Sequence, residues 1–209
     1  MTEPVRNADV RDETTRVEAF SDGVFAIAMT LLILEIRTPE RLGAGQLPHA
    51  LFTLWPSYLA FATSFFTIGV MWMNHHRLFT LIDAADDTLL GLNLLLLLGI
   101  TWIPFPTALL ATHLKVTGND RVAAVVYSAT FFAIAIVFQV LWRYATHTPG
   151  VIPKKKEEEA ARITRQYRWG PIFYLIAVVI ALASGTAVLI WSALLAIYFA
   201  LPPRIAARR

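Results

Sequence analysis

The stretch RVEAFSDGVFAIAMTLLILEI, residues 16–36, decides how the rest of the chain is interpreted. Most of it is apolar, and it is long enough to cross a bilayer core, which takes about 20 helical residues. It nevertheless carries Ser21 and Asp22 near its start, Thr30 past its middle and Glu35 near its end. Because a carboxylate is costly in hydrocarbon, we expect Asp22 to face protein or water and not lipid.

The composition of the whole chain is typical of a membrane protein. Of its 209 residues, 56% are hydrophobic and only 16% are charged, and the mean hydropathy is +0.56, whereas soluble domains carry about 25% charged residues. The chain has no cysteine, which excludes disulfides and thiolate metal sites. Residues 1–16 mix both charge signs and no cleavage pattern follows them, so we expect the first apolar run to be kept as a span.

The apolar runs predict an all-α, polytopic membrane protein with six transmembrane helices. The predicted spans are residues 17–36, 51–73, 88–111, 122–142, 171–184 and 186–201. The last two come from one apolar block, which we divide at ASGTA, residues 183–187, because a single helix of that length would overshoot the bilayer. The expected layout is a cytosolic tail at 1–15, a transmembrane domain at 16–201 with a charged cytosolic loop at about 143–169, and a basic cytosolic tail at 202–209.

The distribution of positive charge tests the number of spans. With six spans, fourteen of the 18 Lys and Arg residues fall on the side that holds both termini, and four fall on the other side. With five spans the same residues divide eleven to seven. Because cytoplasmic loops are enriched in Lys and Arg, the pattern favours six spans with both termini in the cytoplasm. Within the charged loop, KKKEEEAARITRQYRWG predicts a cytosolic helix.

Polar residues from three predicted helices lie at one depth, near the cytoplasmic side. They are Arg16, Ser21, Asp22, Trp72, His75, His76 and Asn93. Such residues can satisfy one another as a buried network. The network either only holds the helices together or also shapes an ion entrance, and a proton relay through Asp22 and a histidine is a further alternative. Adjacent helical residues point about 100° apart, so we expect no metal site from His75 and His76.

The second half of the first span has one regular face. Its members, at spacings i, i+3, i+4 and i+7, are Ile27, Thr30, Leu31 and Leu34. In a single helix such a face packs against a neighbour, and the Thr30 hydroxyl can bond back to the Ala26 carbonyl. On the axis of a symmetric oligomer, the same side chains would form apolar rings that gate a pore by dewetting. Glu35 marks the extracytoplasmic exit, where carboxylates would gather cations.

Several motifs are absent from the sequence. It contains no TVGYG-like filter, no P-loop, no HExxH and no nucleophile elbow, and no span carries an arginine ladder. We therefore expect no enzyme, no cofactor and no nucleic-acid partner.

The sequence resembles a known family at this point. Arg16-x-x-x-Phe20-Ser21-Asp22, followed by GVFAIAMTLLILEI, resembles the first-helix signature of the bacterial and lysosomal potassium channels called transmembrane protein 175. WMNHHRLF at 72–79 and PFPTALL at 104–110 are similar to bacterial members as well.

The resemblance implies a homotetramer of six-span subunits in the bacterial plasma membrane, with the first helix of each lining a central pore. It implies that Ile27 forms a narrow constriction, that Leu31 and Leu34 form further apolar rings, and that Thr30 supplies a hydroxyl row linked to cation preference. The polar residues near the cytoplasmic side, with either His75 or His76, would brace the pore helix. The expected function is a potassium-preferring cation channel of modest selectivity, with a proton conductance or a non-conducting membrane scaffold as alternatives.

Overall fold

The computed structural model describes residues 3–40 and 42–200, and every regular element in these ranges is helical. The α-helices are α1 Glu3–Leu31, α2 Leu47–Thr53, α3 Trp55–Phe79, α4 Asp87–Trp102, α5 Pro104–His113, α6 Asn119–His147, α7 Glu157–Tyr167, α8 Gly170–Ala181 and α9 Gly185–Ala200. Short 3₁₀ turns follow α1 at Leu32–Glu35 and precede α7 at Lys154–Lys156. The predicted all-α class is confirmed, and the predicted tail at 202–209 lies outside the described residues.

The first helix is longer than its apolar part. It begins at Glu3, inside the segment predicted as a cytosolic tail, and its membrane-compatible portion is Thr14–Glu35, 22 residues long. Hydropathy marks where a helix enters lipid and not where the helix starts, so the helical tail could not be read from the apolar run alone.

Three helical segments are long and apolar enough to cross a membrane: Thr14–Glu35, Asp87–His113 and Asn119–His147. The pair α2 and α3 makes a fourth if it counts as one span, although it bends by 46°. The bend lies at Leu54, just before Pro56, and Pro104 similarly follows the break between α4 and α5 at Ile103. Proline lacks an N–H donor and clashes with the preceding turn, so each break is where the sequence requires it.

The last apolar block is divided into two helices, as the sequence predicts. The break covers residues 182–184, slightly before the predicted turn, and Gly185 opens α9. A Cβ on Gly185 would lie 2.9 Å from Leu114 Cδ1 and 3.2 Å from the Asp120 carbonyl oxygen, so only glycine fits this close approach. With 12 and 16 residues, α8 and α9 extend only about 18 and 24 Å, less than a bilayer core of about 30 Å.

Helix packing places α6 in the middle of the bundle, against α4, α5, α8 and α9. The pore-helix candidate α1 packs only on one side, against α3 and α4, while α3 also packs against α5 and α9. The contact between α4 and α6 is tight at Gly99, where an added Cβ would lie 2.7 Å from Ile134 Cγ1.

The helix predicted within the charged loop is present as α7, and polar contacts join the residues just before it to the loop between α3 and α4. Lys156 Nζ lies 2.7 Å from Asp83 Oδ1 and donates to the Thr80 carbonyl oxygen at 2.7 Å. The Asp86 carboxylate caps α4 through the Leu89 amide at 2.8 Å and accepts from the Tyr144 hydroxyl. The Tyr144 bond first, and then the Leu89 amide, lower the pKa of the Asp86 carboxyl.

Gly99→Ala tests the tight contact between α4 and α6. The new methyl group would overlap Ile134, and overpacking of this kind costs about 1–3 kcal/mol. Gly91→Ala is the matched control on the same helix, because nothing lies within 4 Å of the added Cβ; there we expect no loss, since alanine favours helices by about 1 kcal/mol over glycine. Thermal unfolding in detergent measures both, and equal stability of the two variants would contradict the packing described.

Candidate pore helix and its polar brace

The helix α1 has one buried face and one face that no described residue of the chain covers. Its buried side chains recur at helical spacing: Ser21, Phe25, Ala28 and Leu32. On the opposite side Ile27, Leu31 and Leu34 are 58%, 40% and 70% exposed, and Thr30 is exposed as well. The face predicted from periodicity is therefore left open by the packing within one subunit.

The Thr30 hydroxyl bonds to its own helix. It donates to the Ile27 carbonyl oxygen at 2.9 Å, so the acceptor suggested from the sequence, Ala26, is wrong by one residue. The difference arises at the end of α1, where the helix passes into the 3₁₀ turn Leu32–Glu35. Hydrogen bonds between residues three apart are favourable there. Since this bond uses the hydroxyl hydrogen, the oxygen lone pairs remain available to a cation.

A buried chain of hydrogen bonds ties the other face of α1 to α3 and α4. Asn93 donates from Nδ2 to Ser21 Oγ at 2.9 Å, and Ser21 donates onward to the Val17 carbonyl oxygen at 2.8 Å. Asn93 Oδ1 then accepts from Nε2 of His75 at 2.9 Å. All three side chains are buried, and the pattern of donors assigns the proton of a neutral His75 to Nε2.

His75 is thus the histidine that joins the buried network, a choice that the sequence left open. Its ring stacks on Phe79 with centroids 4.2 Å apart and lies 5.4 Å from Phe25 of α1. Its Nδ1 atom has no hydrogen-bond partner in the described part of the chain. The His75 ring therefore contacts an uncharged carboxamide and two apolar rings.

A second, more exposed pair of contacts joins the same two helices. Trp72 donates from Nε1 to Asp22 Oδ1 at 2.8 Å, and His76 Nδ1 lies 2.6 Å from Glu18 Oε1. Glu18 and Asp22 are four residues apart on α1, and Trp72 and His76 are four apart on α3, so two carboxylates face two aromatic rings. The Trp72 and His76 rings are stacked, with centroids 6.3 Å apart.

The comparisons with known proteins identify the family of the chain. The family model for the endosomal/lysosomal potassium channel TMEM175 matches residues 16–104. A Chamaesiphon minutus protein named as a potassium channel is 49% identical over 202 residues, which cover 93% of this chain and 97% of that protein. The chain belongs to the TMEM175 family. The resemblance carried by Arg16-x-x-x-Phe20-Ser21-Asp22 is thereby confirmed.

Two further comparisons support the same family. A Streptomyces collinus protein, also named as a potassium channel, is 45% identical over 189 residues, covering 90% of this chain and 92% of that protein. The crystal structure of a protein described as a lysosomal potassium-selective channel TMEM175 homologue, from Chamaesiphon minutus, is similar with a TM-score of 0.82. It is 49% identical, and the match covers 90% of this chain and 97% of that chain. The chain therefore has the TMEM175 membrane fold over most of its length.

Two predicted TMEM175 site residues stand apart from these contacts. The exposed Arg16 side chain lines a groove beside Phe20 and Leu94, and within residues 14–40 and 42–200 no hydrogen bond or ion pair joins it to Asp22. The carboxylate of Asp22 is instead bonded to Trp72. Glu35 ends the 3₁₀ turn, about 12 Å along the axis from Ile27, and is partly exposed.

Sequence reasoning missed two polar residues that join helices in this part of the bundle, Glu18 and Asn74. Glu18 was recognisable, because it precedes Asp22 by four residues just as Trp72 precedes His76. Asn74 was harder to assign, since its Oδ1 accepts from the Tyr167 hydroxyl of α7 at 2.6 Å, a contact that depends on where α7 lies relative to α3. Among the described residues, no group of three His, Asp or Glu side chains is arranged to hold a metal ion.

Asn93→Leu should destabilise the bundle more than loss of the exposed pair. It leaves the His75 N–H buried without an acceptor, at a cost of about 1–3 kcal/mol. Glu18→Gln is the control on the exposed contact, where the expected loss is below about 1 kcal/mol because water can replace the partner. Thermal unfolding in detergent measures the stability of both variants, and native mass spectrometry measures the fraction of assembled protein. A larger loss of stability in Glu18→Gln than in Asn93→Leu would contradict the importance of the buried hydrogen bonds.

Proposed function

We propose that this chain forms a potassium-preferring cation channel in which four copies place the open face of α1 around a common axis. The observation that carries the proposal is the uncovered row Ile27, Thr30, Leu31 and Leu34, opposite a face of the same helix that is fixed by hydrogen bonds. The names of the Chamaesiphon and Streptomyces relatives support the same function. The channel needs no cofactor besides the permeant ion, and we expect no catalytic activity.

Conduction follows from the order of side chains along α1. Rings of Ile27, Leu31 and Leu34 narrow the pore and make an entering ion lose part of its water, which is less costly for K⁺ than for Na⁺. The ring of Thr30 hydroxyls, whose lone pairs are free, returns part of the lost coordination. One hydroxyl row offers far fewer ligands than stacked carbonyl layers, so the selectivity is modest. Glu35 gathers cations at the extracytoplasmic exit.

The proposed topology has six crossings, with both termini in the cytoplasm of a bacterial cell and the protein in its plasma membrane. It is supported by the distribution of Lys and Arg and by the division of the last apolar block into α8 and α9. Helices this short cross by thinning the bilayer locally and by packing against a longer neighbour, here α6 and α3.

The geometry favours potassium conduction over a proton relay. The Asp22 carboxylate is bonded to a tryptophan N–H and not to a histidine. His75 is bonded to the Asn93 carboxamide, which does not exchange protons as an acid or base does. These two contacts do not join Asp22 to a histidine, and the carboxylate–histidine contact of Glu18 with His76 is separate from them and more exposed.

Reconstitution into liposomes tests the channel against both alternatives. The proposal expects K⁺ flux that exceeds Na⁺ flux, with no chloride permeation. Passage of chloride would contradict the cation channel, proton flux under a pH gradient without K⁺ dependence would favour the proton conductance, and absence of any flux with a monomer in native mass spectrometry would favour the scaffold.

Ile27→Ala should raise conductance or leak, because it widens the narrowest apolar ring. Ile190→Ala is the matched control, since Ile190 is exposed to a similar degree, at 56%, but belongs to α9 and not to α1. Single-channel recording or K⁺ flux measures the effect. Equal changes in both variants would contradict the assignment of Ile27 to the pore lining.

Thr30→Ala should reduce the preference for K⁺ over Na⁺, because it removes the hydroxyl row and leaves the apolar rings in place. Thr101→Ala is the control: its hydroxyl on α4 makes the same bond to a carbonyl three residues earlier, also at 2.9 Å. The reversal potential in mixed K⁺ and Na⁺ gradients is the measurement. A shift in Thr101→Ala, or none in Thr30→Ala, would contradict the assignment.

A further inference from the structure

The turn between α7 and α8 carries a small cluster of exposed basic and aromatic residues. Arg165 and Arg168 are both exposed, and they lie next to each other on the surface of the helix because they are three residues apart. Trp169 follows directly and is 45% exposed. The Arg168 guanidinium lies over the Trp169 ring, 4.9 Å from its centroid. We call these three residues the junction cluster.

The two arginines of the junction cluster have no acidic partner within residues 14–40 and 42–200, where neither guanidinium takes part in an ion pair or a hydrogen bond. The acidic residues of α7, Glu157–Glu159, lie at its other end, about 9 Å or more along the axis from Arg165. The carboxyl end of a helix favours cations through its dipole. That interaction leaves the outward N–H groups of a guanidinium unused, so the cluster can still bind an anion.

The junction cluster lies where the chain enters an apolar helix. The helix α8 begins at Gly170, directly after Trp169, and its sequence GPIFYLIAVVIA has no charged residue. Tryptophan in membrane proteins is enriched at the level of the lipid headgroups. Because α8 is only about 18 Å long, a bilayer core of about 30 Å must thin beside it, which brings headgroups close to its ends. Long arginine side chains at this level can therefore reach a lipid phosphate.

The cluster is presented on a helix that is fixed to the bundle. On one side of Arg165, the Thr164 hydroxyl oxygen accepts from Trp142 Nε1 at 2.9 Å. On its other side, the Tyr167 hydroxyl donates to Asn74 Oδ1 at 2.6 Å. These bonds turn one face of α7 toward α3 and α6, and Arg165 remains exposed on the outer side. A headgroup would therefore bind to side chains whose backbone is already held in place, which lowers the entropic cost of binding.

We propose that the junction cluster binds the headgroup of an anionic phospholipid in the leaflet next to α7. The two guanidiniums bind the phosphate, since their planar N–H groups match phosphate oxygens in pairs. The Trp169 ring packs against the glycerol backbone and holds Arg168 by stacking. An anionic lipid fits better than a zwitterionic one, because the ammonium group of the latter would meet two cations and no carboxylate. The site requires neither conduction nor a tetramer, so it goes beyond the proposed channel function.

Native mass spectrometry of the purified full chain in detergent measures the binding, in titrations with phosphatidylglycerol and with phosphatidylcholine of the same acyl chains. We expect the wild type to bind phosphatidylglycerol more tightly than phosphatidylcholine. The double variant Arg165→Gln/Arg168→Gln should bind phosphatidylglycerol about tenfold or more weakly, because each basic residue near an anionic lipid surface contributes a factor of about five. Equal affinity of the wild type and this variant for phosphatidylglycerol would overturn the proposal.

Lys154→Gln/Lys155→Gln is the matched control. These two lysines are exposed in the same loop and remove the same charge, but they precede α7 and so lie at the end opposite the junction cluster. We expect their affinity for phosphatidylglycerol to stay at the level of the wild type. An equal loss in both double variants would mean a general attraction of anionic lipid to the basic loop, and it would overturn the site.

Thermal unfolding with and without lipid shows that each variant is folded and reports on the same site, because a ligand of the folded state raises the unfolding temperature. Phosphatidylglycerol should stabilise the wild type and the lysine variant but not the arginine variant. sn-Glycerol 3-phosphate, which lacks acyl chains, should stabilise none of them, and a shift equal to that of the lipid would overturn the lipid assignment. If the double variant does not fold, Arg165→Gln alone changes one exposed side chain and should still weaken binding about fivefold; unchanged binding there would overturn the site.

Discussion

The structure depends on one constraint: polar groups inside a membrane must find their partners within the protein. In α1 this constraint is met by Ser21, which receives a hydrogen bond from Asn93, which in turn accepts from His75. The chain of bonds contains no net charge, so it avoids the desolvation cost of a buried ion pair. Three helices are thereby held at a fixed rotation relative to one another.

Fixing the rotation of α1 has a consequence for its other face. Once Ser21, Phe25, Ala28 and Leu32 are turned inward, the residues on the opposite side of the helix, such as Ile27 and Leu31, must point outward. The contacts on the buried side of α1 therefore determine which of its residues remain uncovered. Contacts of the open face itself do not. This separation allows outward residues to serve conduction while stability is supplied by residues on the opposite side.

Much of the fold could be predicted from hydropathy, and what could not has identifiable reasons. The apolar runs predicted the position of α6, the position of α4 and α5 together, and the division of the last block into α8 and α9. They could do so because burial in lipid requires continuous apolar sequence. They did not show that α1 starts at Glu3 or that a bend at Leu54 precedes α3. Within the site, side-chain partners such as Glu18 with His76 depend on helix rotation, which depth alone does not specify.

Helix geometry explains why Arg16 does not contact Asp22, although the two residues are close in sequence. Six residues along a helix correspond to a rotation of about 240°, which places the two side chains on different sides. A tryptophan N–H satisfies Asp22 instead, without bringing a second charge into the interface. The carboxylate keeps its second oxygen free of any hydrogen bond to a described side chain. Asp22 is therefore fixed on the side of α1 that faces α3, apart from the open row of Ile27, Thr30, Leu31 and Leu34.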